Sequence, residues 1–349
     1  MRAVTVLPGV ANSIELTNVP EPPLEDGEIL VRTLALGICG TDHEILDGQY
    51  GSAPPGAERL VLGHESLGVV EDAPVGSGFA KGDHVVGIVR RPDPLPCPSC
   101  ASGEWDMCRN GGYTERGIKD RNGFGSERFR IERGFAVKVD QGLGLAGVLL
   151  EPTSIVAKAW AQVERVGRRS EWWSAKTVLV TGGGPIGLLA ALMGMQRHLD
   201  IHVLDHNTQG PKPELIRALG ATHHASAESL RDKQFDVVME CTAVTSLIVE
   251  AMKRCAPSGI VCLLGVSSSG RQAEFDIGGF NRKLVLNNEV VFGAVNANLG
   301  HYHMAADALQ QADRQWLDRI ITRRVPLANW REAFTPRKGE IKTILTFSE

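Results

Sequence analysis

The chain has 349 residues, 43% of them hydrophobic and 22% charged, with a formal net charge of −4. That length suits two domains, and the composition is that of a globular protein with a substantial core. The acidic balance argues against a general nucleic-acid binder, which draws affinity from clustered Lys and Arg, and no run resembles the roughly eighteen unbroken apolar residues of a membrane span. The opening MRAVTVLPGV lacks the apolar stretch and cleavage site of a signal peptide. A cytoplasmic protein is expected, with neither nucleic acid nor membrane as partner. In that compartment the seven cysteines suggest metal before disulfides.

The first part alternates short β-like runs with Gly and Pro turns: EILVRTLALG, RLVLGHESLGVVE, GDHVVGIV and FAVKV. This rhythm predicts a twisted antiparallel sheet or partial barrel. Between these runs lie GICGTDHEI, with Cys39, Thr41, Asp42, His43 and Glu44, and LGHESLG, with His64 and Glu65. The stretch PDPLPCPSCASGEWDMC at 92–108 spaces Cys97, Cys100 and Cys108 as C-x2-C-x7-C. That spacing looks like a metal loop short of its fourth ligand. Glu151 follows in LLEPTS.

Near residue 160 the character changes. From Lys176 the rhythm is strand, helix, strand: KTVLVTGGG, PIGLLAALMGMQRH, DIHVLD, PELIRALGA, FDVVMEC, GIVCLLGV and EVVFGAV. Such alternation predicts a doubly wound parallel sheet. A helix over HYHMAADALQQA and a closing strand over IKTILTF complete the chain. Cys241, Cys255 and Cys262, within this second part, read as buried packing.

The turn Gly182-Gly183-Gly184-Pro185-Ile186-Gly187 is a G-x-G-x-x-G between a strand and a helix, the context that makes the motif a dinucleotide site. Gly182 allows the turn, Gly184 lets the backbone approach a pyrophosphate, and Gly187 lets the helix lie close on the strand. The helix N-terminus offers free N–H groups to phosphate. Asp205 ends the second strand, where a carboxylate takes ribose hydroxyls and repels a 2′-phosphate. NAD is favoured, while Lys212 keeps NADP open. Thr242, just after FDVVMEC, joins the cofactor-binding set.

Taken singly, Cys39, His64, Glu65 and Glu151 are ordinary core or turn residues. Together they offer a thiolate, an imidazole and carboxylates from separate segments, as in a catalytic zinc site with an open position. On a chain that also binds a dinucleotide, zinc would act as a Lewis acid on a substrate hydroxyl while hydride passes to the nicotinamide.

These features, with GEWDMC, YTERGIK and LVLNNEVVFGAVN, resemble the zinc-dependent medium-chain dehydrogenase/reductase family, and within it the archaeal-type glucose dehydrogenases and their bacterial relatives. The resemblance implies an α/β two-domain fold. A GroES-like catalytic domain of residues 1–160 is completed by 297–349, around a Rossmann domain at 161–296. Substrate and catalytic zinc are expected in the cleft between them. Cys39 and His64 would bind the catalytic zinc, Glu65 would bind it or stand just outside, and Glu151 would touch zinc, substrate or both. Thr41 would hydrogen-bond the reacting hydroxyl. Glu115 would hold a sugar hydroxyl, and Asn296 would lie between sugar and nicotinamide. Two departures stand out: Glu44 occupies the usual relay-histidine position, and Asn122 stands where relatives often have His before the glycine of NGF, which alters any sugar or cofactor contact there. Relatives with a structural zinc usually read C-x2-C-x2-C-x7-C. Here the first position falls on Pro94, so Asp93 is taken as the fourth ligand beside Cys97, Cys100 and Cys108.

The expected activity is oxidation of the C1 hydroxyl of an aldose, glucose favoured, to the lactone with NAD or NADP. A polyol, cyclitol or natural-product alcohol is the enzymatic alternative, in either direction. A nucleotide-binding sensor is the non-enzymatic one, opposed by the retained Cys39, His64 and Glu151. The resemblance also implies a homodimer or homotetramer paired through the nucleotide domains.

Overall fold

The computed structural model describes residues 1–267, 270 and 272–347, so the last two residues of the expected catalytic tail lie outside it. The chain divides into two compact units, Met1–Ser154 with Asn296–Glu349, and Ile155–Val295.

The first unit is β-rich. Its seven-stranded sheet runs Ala136–Val139, His84–Gly87, Glu65–Asp72, Ile29–Ile38, Lys342–Thr346, Ile321–Pro326, and Arg128–Ile131 also pairs with Ile29–Ile38. Every pairing is antiparallel except the last in the row, where Ile321–Pro326 and Lys342–Thr346 run parallel. Ile29 and Val31 point into the core while Arg32 faces out, the alternation of a half-buried strand. The core gathers these with Val4, Leu36, Leu62, Val85, Phe124, Ile131 and Leu345.

The run expected as one strand across RLVLGHESLGVVE is two, Leu60–Val61 and Glu65–Asp72. The break at Gly63 and His64 carries His64 out of the ladder. The tail is also more structured than its sequence suggested: helix Arg314–Ile320 leads into strand Ile321–Pro326, whose parallel partner is distant in sequence.

The second unit has a six-stranded parallel sheet in the order Thr222–His224, Asp200–Leu204, Thr177–Thr181, Phe235–Glu240, Cys255–Leu263, Val290–Gly293. Strand order reverses beside Thr177–Thr181, so the strand ends at Thr181 and Glu240 form the crevice where such sheets bind ligands. Helix Pro185–Met195 is apolar all round because it is buried from Gly187 to Gly194. Cys255 and Cys262 are buried as expected, whereas Cys241 is only partly so.

One helix, Leu150–Gly167, was not anticipated. With the turns before it, residues 141–167 are long and apolar enough to cross a membrane, contrary to the reading of the sequence, but 78% of that stretch's most apolar window is buried within the protein. It is a core helix, and Glu151 sits in its first turn.

Candidate active site and metal centres

The strand Ile29–Ile38 ends at Cys39, which caps helix Gly40–Leu46. The capping is reciprocal: the Cys39 side chain accepts an N–H of the first turn, and Asp42 Oδ2 accepts the Cys39 N–H at 2.9 Å. This fixes the thiol at the mouth of the helix. His64, freed by the strand break, brings Nε2 to 3.0 Å from Cys39 Sγ, while its Nδ1 stands 3.6 Å from Asp42 Oδ1. Glu65 opens the next strand opposite Gly37. A Cβ on Gly37 would lie 2.0 Å from Glu65 Oε2, so only glycine leaves room for this carboxylate. Lys342, on the closing strand, forms a buried ion pair with the same oxygen.

One donor atom each from Cys39, His64 and Glu65 lies within 4.8 Å of the others. Burial opposes charge on His64, but the Cys39 thiolate and Asp42 outweigh it and raise the imidazole well above its usual value. Glu151 stays outside this three-residue group, yet it senses the same charges. Burial pushes its carboxyl up to about 7, His64 draws it down, and Glu65 pushes it further up. Asp42, Glu65 and Glu151 are all buried here with Lys342 as the fixed cation. Such a donor set fits a divalent cation, and its S, N and O atoms are those of catalytic zinc sites.

Thr41 is half-buried in the first turn of the helix that Cys39 caps. Glu115 is buried on strand Thr114–Arg116, and Asn296 Nδ2 donates to its Oε1 at 2.7 Å. Asn122 has a different role from the sugar or cofactor contact considered for it: its Oδ1 accepts the Val61 N–H at 3.0 Å and braces the strand that leads to His64.

The cysteine lobe brings Cys97, Cys100 and Cys108 within 4.8 Å of one another, but the Asp93 carboxylate is not in that group. Its Oδ1 is turned to the Leu95 N–H at 2.8 Å, as aspartates in tight turns prefer. The N–H of Arg109, 3.3 Å from Cys97 Sγ, and that of Cys100 pull the Cys97 thiol down to about 6, while burial pushes Cys100 up to about 11. The clustered thiols suit a soft divalent metal.

In the second unit Gly182 takes φ +91°, and a Cβ on Gly187 would lie 1.9 Å from the Gly182 carbonyl. Both positions therefore require glycine. Helix Pro185–Met195 begins on Gly184, with open space where a Gly184 side chain would stand, and Pro185 at the first position has no N–H to leave unpaired. Ile186 and Gly187 follow in the first turn, where N–H groups lack helical partners. This cradle fits a pyrophosphate. Thr242 stands across from it, its methyl 2.7 Å from the Cβ position of Gly182. The buried Glu240 accepts the Thr242 N–H at 2.7 Å and the Thr181 hydroxyl at 3.1 Å.

Asp205 is pinned: Oδ2 accepts the Gly183 N–H at 2.8 Å, and Oδ1 accepts the Asn207 N–H at 2.9 Å. Burial would raise its carboxyl, but those hydrogen bonds and Lys212 hold it below the usual carboxylate range.

Several contributors were missed because no spacing pattern marks them. Lys342 sits in an unremarkable β-run, and Arg90, which pairs with Glu115, and Asp106 flank the cysteine lobe. Asp42 was named as a candidate, but its double hold on Cys39 and His64 was not foreseen.

A β-rich metal-binding unit and a nucleotide unit of this topology define a dehydrogenase of the zinc alcohol dehydrogenase type. Residues 25–141 match the alcohol dehydrogenase GroES-like domain family, and residues 144–347 match the glucose dehydrogenase C-terminus family. Over 99% of both chains the protein is 37% identical to glucose 1-dehydrogenase 2 of Vulcanisaeta moutnovskia, and it is 36% identical to glucose 1-dehydrogenase of Thermoproteus tenax with the same coverage. The Haloferax mediterranei glucose dehydrogenase, solved with NADP, Zn and gluconolactone, superposes over 100% of both chains with a TM-score of 0.91 and 32% identity. The chain belongs to the glucose dehydrogenase family of zinc-dependent medium-chain dehydrogenases.

Replacing Cys39 by Ser should lower turnover by roughly a thousandfold or more, because Lewis-acid stabilisation of several kcal/mol is lost. Binding of reduced cofactor, followed by nicotinamide fluorescence, should stay near wild type. Activity that survives the change would contradict a catalytic metal at this group.

Proposed function

We propose that the chain oxidises the anomeric C1 hydroxyl of an aldopyranose, glucose first, to the lactone, with reduction of NAD. The observation that carries this reading is the group of half-buried Cys39 with buried His64 and Glu65 on a chain that also carries the Gly182 to Gly187 cradle. The named relatives are glucose dehydrogenases, and the Haloferax protein was solved with the lactone product class.

Cys39, His64 and Glu65 would hold the zinc, which when bound supplies Lewis acidity to the sugar hydroxyl, as the nicotinamide supplies the hydride acceptor. The residues do the rest. Asp42 Oδ1 stands 3.6 Å from His64 Nδ1 as its charged neighbour on the ring side away from Cys39, while Nε2 is turned to Cys39 and the metal position. Lys342 keeps Glu65 in place against Gly37. Thr41 Oγ1, in the first turn of the helix that Cys39 caps, accepts a hydrogen bond from the C1 hydroxyl, and as the C1 hydrogen departs with its electron pair it takes that proton while passing its own on toward solvent. Glu115 and Asn296 grip ring hydroxyls, and Glu151 borders the metal and sugar. Each sugar hydroxyl removed from water needs such a partner.

The Asp205 carboxylate, held by the Gly183 and Asn207 N–H groups, would repel a ribose 2′-phosphate. That favours NAD over NADP. A homodimer or homotetramer through the nucleotide unit is supported by the edge strand Val290–Gly293 and by the exposed apolar side chains Ile277, Val285 and Leu286. A cytoplasmic setting accords with seven free cysteines.

Initial rates of zinc-replete protein with NAD and NADP, against aldoses, polyols and simple alcohols, test this reading. Glucose or a close epimer with NAD should give the highest kcat/KM. Asp205→Ala should shift the NAD to NADP ratio toward NADP by about tenfold, the equivalent of roughly 1.4 kcal/mol. Silence with every sugar while cofactor still binds would move the substrate to another alcohol class. Sedimentation velocity should give two or four chains per particle, and a monomer at micromolar concentration would contradict the assembly.

A further inference from the structure

We propose that Arg90 is the positioning residue of the substrate carboxylate: it holds Glu115 by one oxygen only and so presents the other to a single sugar hydroxyl. This rests on the reading of Glu115 as a sugar-binding residue.

The geometry is lopsided. Glu115 Oε1 accepts Arg90 Nε at 3.1 Å, Arg90 Nη2 at 3.0 Å and Asn296 Nδ2 at 2.7 Å. No protein donor reaches Oε2 among the described residues, although Glu115, Arg90 and Asn296 are each no more than 8% exposed. Oε2 is not among the fully buried side-chain atoms that lack a partner, so this oxygen stays open to solvent while Oε1 takes every protein donor. Here the vacant acceptor belongs to a family whose substrate brings several hydroxyl donors.

Arg90 is itself immobilised from other directions. Its guanidinium lies 3.7 Å above the Tyr113 ring, and Nη1 donates to the Asp106 carbonyl at 3.3 Å. Asp106 belongs to the short turn Trp105–Met107 that leads into Cys108, and its Oδ1 accepts Asn298 Nδ2 at 2.8 Å. Asn298 is two residues beyond Asn296, whose backbone has the left-handed φ of +62° that asparagine tolerates best among non-glycine residues. The turn in the cysteine lobe therefore fixes both partners of Glu115, one through Arg90 and one through the 296–298 segment. This gives the lobe a role beyond stability: it sets where the sugar-gripping oxygen points. Lysine cannot replace the fork, because one ammonium does not span Oε1, the Asp106 carbonyl and the ring face together.

The test is a double-mutant cycle of Arg90→Lys, which keeps the buried charge, with Glu115→Gln in the zinc-loaded enzyme. Each single variant should raise KM for the sugar by about tenfold to a hundredfold, the worth of a charge-assisted hydrogen bond. KM for NAD, zinc content and circular dichroism should hold, and kcat should change less than KM. The double variant should be no worse than Glu115→Gln alone, since Arg90 acts through Glu115. Additive effects, or an unchanged KM in Arg90→Lys while Glu115→Gln raises it, overturn the positioning role and leave the sugar reading intact. An unchanged KM in Glu115→Gln overturns the sugar reading itself. If Arg90→Lys does not fold, Tyr113→Leu loosens the same guanidinium without unpairing a charge. It should raise the sugar KM about two- to fivefold, and a wild-type KM in that variant overturns the proposal.

Discussion

The first unit is organised around negative charge taken out of water. Asp42, Glu65 and Glu151 are buried beside Cys39 and His64, and the buried Lys342 ammonium pairs with Glu65. Carboxylates in such surroundings persist only when paired and hydrogen-bonded. The local architecture follows from that need. A helix cap orients Asp42 toward both Cys39 and His64, a strand break releases His64, and Gly37 makes space for Glu65. The closing strand returns to the first unit's sheet and delivers Lys342. The S, N and O donor atoms gathered there by Cys39, His64 and Glu65 are those zinc prefers.

The nucleotide unit solves the opposite problem, since it must receive an anion. It does so with backbone, not with arginines: a turn that only glycine can adopt, an uncapped helix start, and a carboxylate held beside the turn by the Gly183 N–H. The free N–H groups of that helix start suit a pyrophosphate, and Asp205 sets a pinned carboxylate beside them. The two units share a division of labour familiar from dehydrogenases, in which one activates the hydroxyl and the other carries the hydride acceptor.

Much of this was legible in the sequence because it is written in short-range patterns. The G-x-G-x-x-G follows from turn sterics and lies between a strand and a helix, so its context could be read directly. The alternation from Lys176 onward predicted the parallel sheet, and the Cys39 and His64 segments carried their chemistry in the residue types themselves. What was hidden depends on pairing across distance. Lys342 became significant only when its strand was placed beside Ile29–Ile38, and Arg90 only when the chain brought Asn296 to Glu115. The helix Leu150–Gly167 was obscured because Glu151, Thr153, Ser154 and Lys158 are buried among its apolar residues, so no solvated face marks its start. Asp93 was assigned by spacing alone, and the turn geometry that gives its oxygen to Leu95 cannot be seen in spacing.

The central claim is that hydride leaves the anomeric carbon of the sugar for the nicotinamide, and isotope transfer tests it most directly. Zinc-loaded protein is given glucose with deuterium at C1 and unlabelled NAD in ordinary water, and the reduced cofactor is weighed by mass spectrometry. The account predicts reduced nicotinamide one mass unit heavier, and a lactone that has lost the label. Unlabelled reduced cofactor, or deuterium retained in the oxidised sugar, would contradict it.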